Sequence, residues 1–376
     1  MRLSPTFALL GLWTLACTGM QTPQDPGLSS EQIAKLVRKD VTDKQGWADD
    51  VRAALLQAGQ IPDEDHACQV LAIIEQESGY APDPEVPGLG KIALTELETE
   101  VQDKLGFLGP TALKLLLDVT PEGETRTFRE RLAGVRTERD LDRLFRDLVA
   151  YHESRAPRIA KAVQAIAPRV EEALNPISTA GSMQVSVSFA LEHSEGLDRE
   201  AVRELLYTRS GGVRFGTARL FAHEADYDKP VYRFADYNAG YYASRNAAFQ
   251  VMIRDLTGQK ITPDGDILIW NDRGKPASTD GQTLTALLGW RAASAPELLE
   301  SQLRRDAKQE KTRSFEDTET WRRVREAWAA KTGKTPVYAQ LPEVPLDSPK
   351  LRKDRTTAWF ANSVDRRYQD CRKRNG

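Results

Sequence analysis

The sequence predicts a mainly α-helical protein, and three observations support this fold class. Apolar residues recur at helical spacing over long stretches, most clearly across residues 141–149. Helix-start signals precede other apolar stretches: Ser29 is followed by Gln32 at the capping-box position, and Asp63 or Asp65 can cap a later helix. Strand-like character is short, and residues 264–274 predict one strand or a strand pair between turns.

The other elements follow from the same patterns along the chain. Gly79 is a common helix-stop residue, and Gly211-Gly212 predicts a break between helices. Residues 336–349 contain several prolines and are expected to be extended. We expect helices over residues 47–58, 63–79, 113–117, 141–149, 159–174, 284–290, 296–307, 318–331 and 356–372, with more helix between 176 and 257.

The N-terminus has the features of a cleaved targeting segment. Arg2 precedes the apolar residues 7–13, and Cys17 ends a stretch that is too short to span a bilayer. A small residue just before a cysteine is similar to a bacterial lipoprotein cleavage site. Residues 1–17 therefore predict a signal peptide with Cys17 as the lipidated residue, followed by a flexible tether over residues 18–30. This implies a periplasmic lipoprotein anchored in the outer membrane; a plain secreted protein is the alternative.

Charge and cysteine usage narrow the function classes. The formal net charge is −3, so no basic excess indicates nucleic-acid binding. After Cys17 the sequence contains only Cys68 and Cys371. In an oxidising compartment these two can form a disulfide, and two free thiols are the alternative. The four histidines show no short metal-ligand spacing, so we expect no metal.

Three short segments carry the candidate chemistry, and the first is Glu77-Ser78-Gly79. Glu77 continues the helical apolar stripe that runs through Val70 and Ile74. A carboxyl that faces apolar surroundings is costly to ionise, so we expect its pKa to be raised. A raised pKa is what a general acid needs near neutral pH. The alternative is an exposed glutamate at a helix end.

The second and third segments are Gly181-Ser182-Met183-Gln184 and Tyr237-Asn238-Ala239-Gly240. Gly181 permits close approach of a sugar, Met183 offers an apolar surface, and Gln184 offers a donor and an acceptor. The ring of Tyr237 can stack on a sugar or its hydroxyl can hold the acid, and Asn238 can bind an N-acetyl group. The alternatives are a loop with Met183 in the core and an ordinary helix end.

In this order, the three segments resemble the active-site signature of the soluble lytic transglycosylase and goose-type lysozyme-like family. The resemblance covers roughly residues 61–90 and 175–255. It implies that Glu77 cleaves the β-1,4 bond between N-acetylmuramic acid and N-acetylglucosamine, with formation of a 1,6-anhydro ring and without a cofactor. The substrate-binding residues that it implies are Ser78, Gly181, Met183, Gln184, Tyr237 and Asn238. The chain as a whole resembles uncharacterised proteobacterial lipoproteins that share this core.

The sequence departs from the family pattern in three respects, one of which is that Val185-Ser186-Val187 lacks the proline that usually follows the Met-Gln pair. Asp236 stands where the family usually has Ala, and it is a candidate modulator of Glu77 or of a hydrolytic water. The stretch between the first two segments is longer than a compact lysozyme-like domain needs, so residues 82–175 predict a helical insertion. We expect a transglycosylase domain over residues 31–258 and a C-terminal extension with a short β element over residues 259–376.

Several functions stay open at this level. The expected partners are peptidoglycan glycan strands, the membrane through the lipid on Cys17, and a cell-wall enzyme docked on the insertion. A lysozyme-type hydrolase is one alternative to the transglycosylase. A non-catalytic peptidoglycan-binding or scaffold lipoprotein, which would keep the cleft but cut nothing, is the other.

Overall fold

The computed structural model describes residues 27–155, 178–271, 274–346 and 355–375, and the fold over these ranges is mainly α-helical. The mainly α fold class is therefore confirmed. In the first half of the chain the helices are α1 (Ser30–Leu36), α2 (Lys44–Gln57), α3 (Glu64–Glu77), α4 (Leu89–Leu105), α5 (Gly109–Leu117), α6 (Phe128–Ala133) and α7 (Glu138–Arg155). They are followed by α8 (Val187–Glu192), α9 (Arg199–Leu206), α10 (Arg209–Leu220), α11 (Pro230–Ala239), α12 (Ala243–Thr257), α13 (Gln282–Ser294), α14 (Glu300–Ala307), α15 (Glu319–Thr332) and α16 (Thr357–Arg372).

Local capping signals in the sequence produce the first helices. Ser29 caps α1 in a complete capping box with Gln32, as predicted. Asp63, rather than Asp65, caps α3 by accepting a hydrogen bond of 2.8 Å from the backbone nitrogen of His66. The helix predicted over residues 159–174, the signal peptide and Cys17 lie outside the described residues. Within the described ranges, no helix has the length and apolar character needed to cross a bilayer.

The strands are short and occur in two antiparallel pairs. β1 (Thr179–Ala180) pairs with β2 (Val185–Ser186), with Thr179 opposite Ser186. β3 (Pro345–Leu346) pairs with β4 (Arg355–Thr356). The strand expected over residues 264–274 is wrong for the part described, which contains only an isolated bridge between Trp270 and Pro276. The buried carboxylate of Glu310 fixes this segment instead, accepting hydrogen bonds from the backbone nitrogens of Ile267 and Leu268 and from the Trp270 indole.

The buried side chains of the described residues form two clusters. The first cluster extends from α1 to α11 and also includes α16, which packs on α3 and α11. The second cluster is built from α12 to α15. The predicted boundary at residue 258 lies just after α12, a helix of the second cluster, and α16 belongs to the first cluster. The last helix returns to the first cluster because its apolar residues, such as Phe360 and Val364, are buried there.

A disulfide joins the last helix to the third. Cys68 of α3 and Cys371 of α16 are bonded, with their Cα atoms 5.6 Å apart. Ion pairs lie beside this link, because Arg372 contacts Glu64 and Asp65 at the start of α3. The bond fixes α3, whose last residue is Glu77, against a helix that follows it by about 300 residues.

The glycine pair Gly211-Gly212 lies inside α10, so the predicted helix break is wrong. Both positions need the absence of a side chain for packing. A Cβ atom on Gly211 would meet the backbone oxygen of Leu205 at 2.0 Å, and one on Gly212 would meet the hydroxyl of Ser182 at 2.7 Å. These glycines let α10 approach α9 and the second sequence segment closely.

Replacing both disulfide cysteines, Cys68→Ser with Cys371→Ser, is expected to lower the free energy of unfolding by about 2–5 kcal/mol. The reason is that the unfolded chain loses a cross-link that closes a very long loop. Urea unfolding followed by circular dichroism measures the difference. Reductant should destabilise the wild type to a similar degree and leave the double variant unchanged; equal unfolding midpoints in all four samples would contradict the prediction.

Candidate active site

Glu77 is the last residue of α3 and lies at the end of the buried face of that helix. Val70, Ile73 and Ile74 are fully buried, whereas the side chain of Glu77 is only partly buried. The helix stops there because Ser78 turns out of helical geometry and Gly79 has a φ of +59°. The hydroxyl of Ser78 donates to the backbone oxygen of Ile74 at 3.0 Å, so it helps to end the helix.

The surroundings of Glu77 favour its protonated form. Burial raises the pKa of Glu77 to about 7, and the negative charge of Glu138 pushes the pKa in the same direction. The guanidinium of Arg367 acts in the opposite sense and has a smaller effect. Within the described part of the chain, no group donates a hydrogen bond to the Glu77 carboxyl. The carboxyl is therefore placed to carry a proton near neutral pH and to give it up.

Tyr237 connects the third sequence segment with both of the others. It lies on α11, where burial raises the pKa of its phenol and the negative charge of Glu77 acts in the same direction. The Tyr237 hydroxyl donates a hydrogen bond of 2.7 Å to the backbone oxygen of Met183. The expected contact of this hydroxyl with the acid is therefore replaced by a contact with the second segment.

The second segment is a tight turn between β1 and β2. Gly181 has a φ of +80°, and a Cβ atom there would lie 2.2 Å from the backbone oxygen of Leu206. Gln184 is a non-glycine residue in the left-handed region, with a φ of +50°. Gly181 therefore permits close contact with the end of α9, rather than the expected close approach of a sugar.

Met183 belongs to the core, which corrects its expected role as a surface for substrate. Its side chain is fully buried. A Cβ atom on Gly216 of α10 would collide with the Met183 side chain at 2.3 Å, so the thioether packs directly on that glycine. Met183 thus anchors the turn, and only its backbone oxygen takes part in the site, as the acceptor for Tyr237.

The side-chain amide of Gln184 is held at both ends. Its nitrogen donates to a carboxylate oxygen of Glu138 at 3.0 Å, and its oxygen accepts from the hydroxyl of Thr179 at 2.9 Å. The Glu138 carboxylate can only accept, so the amide nitrogen must face it, and the amide oxygen then faces the hydroxyl of Thr179. These two contacts set the orientation of the Gln184 amide. Gln184 retains acceptor capacity for a ligand, but its donor is largely engaged.

Asn238 and Asp236 lie on α11 beside Tyr237 but have different surroundings. Asn238 is exposed, and its side-chain oxygen accepts a hydrogen bond of 3.0 Å from the hydroxyl of Thr357. Asp236 is fully buried and accepts hydrogen bonds from the backbone nitrogens of Tyr242 and Ser244 at the start of α12. The side chains of His223 and Tyr227 also contact Asp236.

These contacts correct the expected role of Asp236. Four donors occupy its two oxygens, and none of its surface reaches solvent. The charges that shift the pKa of Glu77 are those of Glu138 and Arg367. Asp236 therefore caps α12 instead of modulating Glu77 or holding a hydrolytic water.

Two residues of the site escaped the sequence analysis. Glu138 begins α7, in the predicted insertion, and its only local signal is the position after Thr137 at a helix start. Arg367 comes from α16, near the other end of the chain. Neither position can be connected with Glu77 from sequence spacing, because tertiary packing alone brings them together.

A surface pocket of about 360 Å³ lies beside the end of α3. Its lining includes Gly79 and Tyr80, which closely follow Glu77, and the aromatic ring of Trp47. The rings of Trp47 and Tyr80 meet edge to face, with centroids 5.5 Å apart. Arg38 and Arg209 complete the wall as cations that are already paired with carboxylates. The pocket offers aromatic and polar surface at the end of α3, and the side chain of Glu77 does not line it.

Among the residues that the structure describes, no group of three or more histidine, cysteine, aspartate or glutamate side chains is arranged to hold a metal ion. The side chains of the site supply one carboxyl with a raised pKa, a second carboxylate whose charge acts on it, and an amide fixed by hydrogen bonds.

Glu77→Gln is expected to stabilise the protein at high pH. The folded-state pKa of about 7 exceeds the ordinary value of 4.5, so the folded state binds the proton more tightly than the unfolded chain does. This contribution is fully present below pH 4.5 and is lost as the pH rises through about 7. Urea unfolding at each pH gives the free energy of unfolding of the variant minus that of wild type. This difference should be about 1–3 kcal/mol more positive at pH 8 than at pH 4.5.

Glu75→Gln provides the control for this measurement. Glu75 lies on the same helix but is paired with Arg374 at 3.2 Å and with Arg38 at 3.7 Å. Its replacement should lower the stability at pH 8, the opposite sign. If Glu77→Gln also lost stability at pH 8, the claim that the surroundings of Glu77 disfavour its ionised form would be contradicted.

Gly181→Ala is expected to cost about 2–4 kcal/mol of stability, because it adds a clash to an unfavourable backbone angle. Gly123→Ala is the matched control, since Gly123 has a φ of +83° but open space around its Cβ position. The control should cost only about 1 kcal/mol. Equal losses in urea unfolding would show that the contact with Leu206 does not constrain the turn.

Comparison with known proteins places the chain in a family. A family model described as "Protein of unknown function (DUF1615)" matches residues 40–374. The chain is 36% identical over 381 residues to "Uncharacterized protein YaiW" of Escherichia coli (strain K12), covering 98% of each chain. No solved structure matches. The match over nearly the whole chain shows that this protein belongs to the DUF1615 family.

Proposed function

We propose that the protein is a peptidoglycan lytic transglycosylase in which Glu77 is the catalytic acid and then the base. One observation carries this proposal: three segments far apart in the chain meet around a partly buried carboxyl. The charge of Glu77 acts on Tyr237, whose hydroxyl donates a hydrogen bond to the backbone oxygen of Met183. Gln184, the next residue, contacts Glu138, whose charge acts on Glu77.

The chemistry needs one titratable group that changes role. With a pKa of about 7, Glu77 carries a proton in a large fraction of molecules at neutral pH. It donates this proton to the glycosidic oxygen, and the bond from that oxygen to C1 of the muramyl sugar breaks. The C6 hydroxyl of the same sugar then attacks C1 and gives its proton to the Glu77 carboxylate. The products are a 1,6-anhydro-muramyl end and a free 4-hydroxyl, so no water is consumed.

The architecture proposed around this site is a lysozyme-like core. α3 would supply the acid at its C-terminal end, the β1–β2 turn and α11 would form the opposite wall, and α7 would close the site from the insertion. The lipid anchor on Cys17 would hold the enzyme in the outer membrane, facing its glycan substrate in the periplasm. The pocket next to Gly79 and Tyr80 would accommodate part of the substrate that extends from the cleavage point.

A lysozyme-type hydrolase is the second candidate, and one observation favours it. Glu138 provides a second carboxylate whose charge acts on Glu77. Glycosidases that use water generally need such a pair, one as acid and one as base or nucleophile. The two candidates differ in the product, because hydrolysis leaves a reducing muramyl end instead of an anhydro ring.

Digestion of purified sacculi by the full chain, with products identified by mass spectrometry, tests the proposal. We expect anhydro-muropeptides from wild type and a loss of about 100-fold or more in Glu77→Gln, because general acid catalysis typically contributes that much. Glu153→Gln is the control, since Glu153 is exposed on α7, and it should retain wild-type activity.

Other outcomes would redirect the assignment. Reducing-end products that disappear in Glu77→Gln would establish the hydrolase. Wild type that sediments with sacculi but releases nothing would favour the non-catalytic binding or scaffold protein. Undiminished release of anhydro-muropeptides by Glu77→Gln would contradict the assigned acid.

A further inference from the structure

The inserted region contributes a buried carboxylate to the site. Glu138 is the first residue of α7 and is only 3% exposed. Its contact with the side-chain nitrogen of Gln184, at 3.0 Å, links the insertion to the β1–β2 turn. A buried carboxylate normally needs donors or cations around it, and here one of the donors belongs to the candidate active site.

A network of ion pairs fixes the helix that carries Glu138. Asp142, one turn further along α7, is fully buried and pairs with Arg203 of α9 at 2.8 Å. Glu204 of α9 contacts three arginines of α7: Arg139, Arg143 and Arg146. These cations lower the pKa of Glu204 to about 2. α9 also ends at Leu206, against which the Gly181 turn packs, so α7 and the turn share one rigid support.

The charged groups that act on Glu77 come from two different helices, and the charge of Glu77 acts in turn on a neutral phenol of a third helix. Glu138 of α7 disfavours ionisation of Glu77, and Arg367 of α16 favours it. Tyr237 of α11 is a neutral phenol whose pKa is raised partly by the charge of Glu77. The charge of Glu138 also acts on Tyr207: burial raises the pKa of that phenol, and the charges of Asp142 and Glu138 act in the same direction. Glu138 is thus the carboxylate whose negative charge raises the pKa of Glu77.

We propose that Glu138 is a positioning residue of the site, which fixes the side-chain amide of Gln184 and places a negative charge beside Glu77. This inference rests on the proposed function and assigns a task to the insertion: it completes the site instead of only extending the surface. The consequence is that proton transfer by Glu77 near neutral pH depends on a residue outside all three sequence segments.

The pH dependence of muropeptide release from purified sacculi tests this role. Glu138→Gln keeps the shape and an acceptor oxygen for Gln184 but removes the charge. The variant should therefore shift the basic limb of the pH–rate profile down by about one unit. The ratio of the variant rate to the wild-type rate should be about fivefold lower at pH 7.5 than at pH 5.5. Glu153→Gln, at an exposed position on the same helix, should not shift the pH–rate profile. Glu138→Asp keeps the negative charge, so its profile should stay close to that of wild type.

A second measurement decides the inference even if no glycan is cleaved. Carbon-13 NMR of labelled glutamate carboxyls follows the titration of Glu77, whose signal is identified by its loss in Glu77→Gln. The Glu77 midpoint should lie near 7 in wild type and about one unit lower in Glu138→Gln. It should stay near the wild-type value in Glu138→Asp and Glu153→Gln.

The possible failures are distinguishable. Absence of products from wild type contradicts the proposed function. The NMR midpoints still test whether the charge of Glu138 raises the pKa of Glu77. An unchanged Glu77 midpoint in Glu138→Gln, or a rate that falls equally at every pH, overturns the inference and leaves the transglycosylase standing. If Glu138→Gln does not fold, Glu138→Asp decides: a Glu77 midpoint well below the wild-type value would contradict the role of the charge.

Discussion

The partial burial of the Glu77 carboxyl is the constraint on which the rest of the site depends. An ionisable group at the end of an apolar helix face is costly unless it stays neutral or finds partners. The other buried carboxylates have partners: Asp236 accepts four hydrogen bonds, Asp142 pairs with Arg203, and Glu310 accepts from backbone nitrogens and an indole. Glu77 lacks such donors among the described residues. A carboxyl kept in such an environment is typical of functional groups.

Maintaining that environment requires walls from distant parts of the chain. The Tyr237–Met183 hydrogen bond holds α11 against the β1–β2 turn. The turn is fixed from behind by contacts that only glycine allows, at Gly181 and Gly216. The disulfide between Cys68 and Cys371 keeps α3 against α16, which also supplies Arg367. These links give rigidity to a site that sits between helices instead of on one element.

The sequence predicted the parts of this arrangement that depend on local chemistry. The capping box at Ser29, the Asp63 cap and the apolar stripe leading to Glu77 are encoded within a few residues, and all three are present. Local patterns failed where tertiary packing decides. Gly211-Gly212 resembles a break but serves close helix packing, and Met183 resembles a ligand surface but fills the core.

Long-range contributions were beyond sequence reasoning. Glu138 and Arg367 carry no motif, and their relation to Glu77 exists only after α7 and α16 have packed. Asp236 stood next to the third segment, which suggested a role in the cleft. Its side chain turns instead toward the start of α12, whose unsatisfied backbone nitrogens need an acceptor. Adjacency in sequence on a helix does not place two side chains on the same face.

A crystal structure of the Glu77→Gln variant with a peptidoglycan oligosaccharide would test the central claim most directly. The account predicts that the glycan crosses the end of α3, with a glycosidic oxygen within hydrogen-bonding distance of residue 77 and sugars beside Gln184 and Tyr237. An oligosaccharide bound elsewhere on the protein, with the surroundings of residue 77 unchanged, would contradict it.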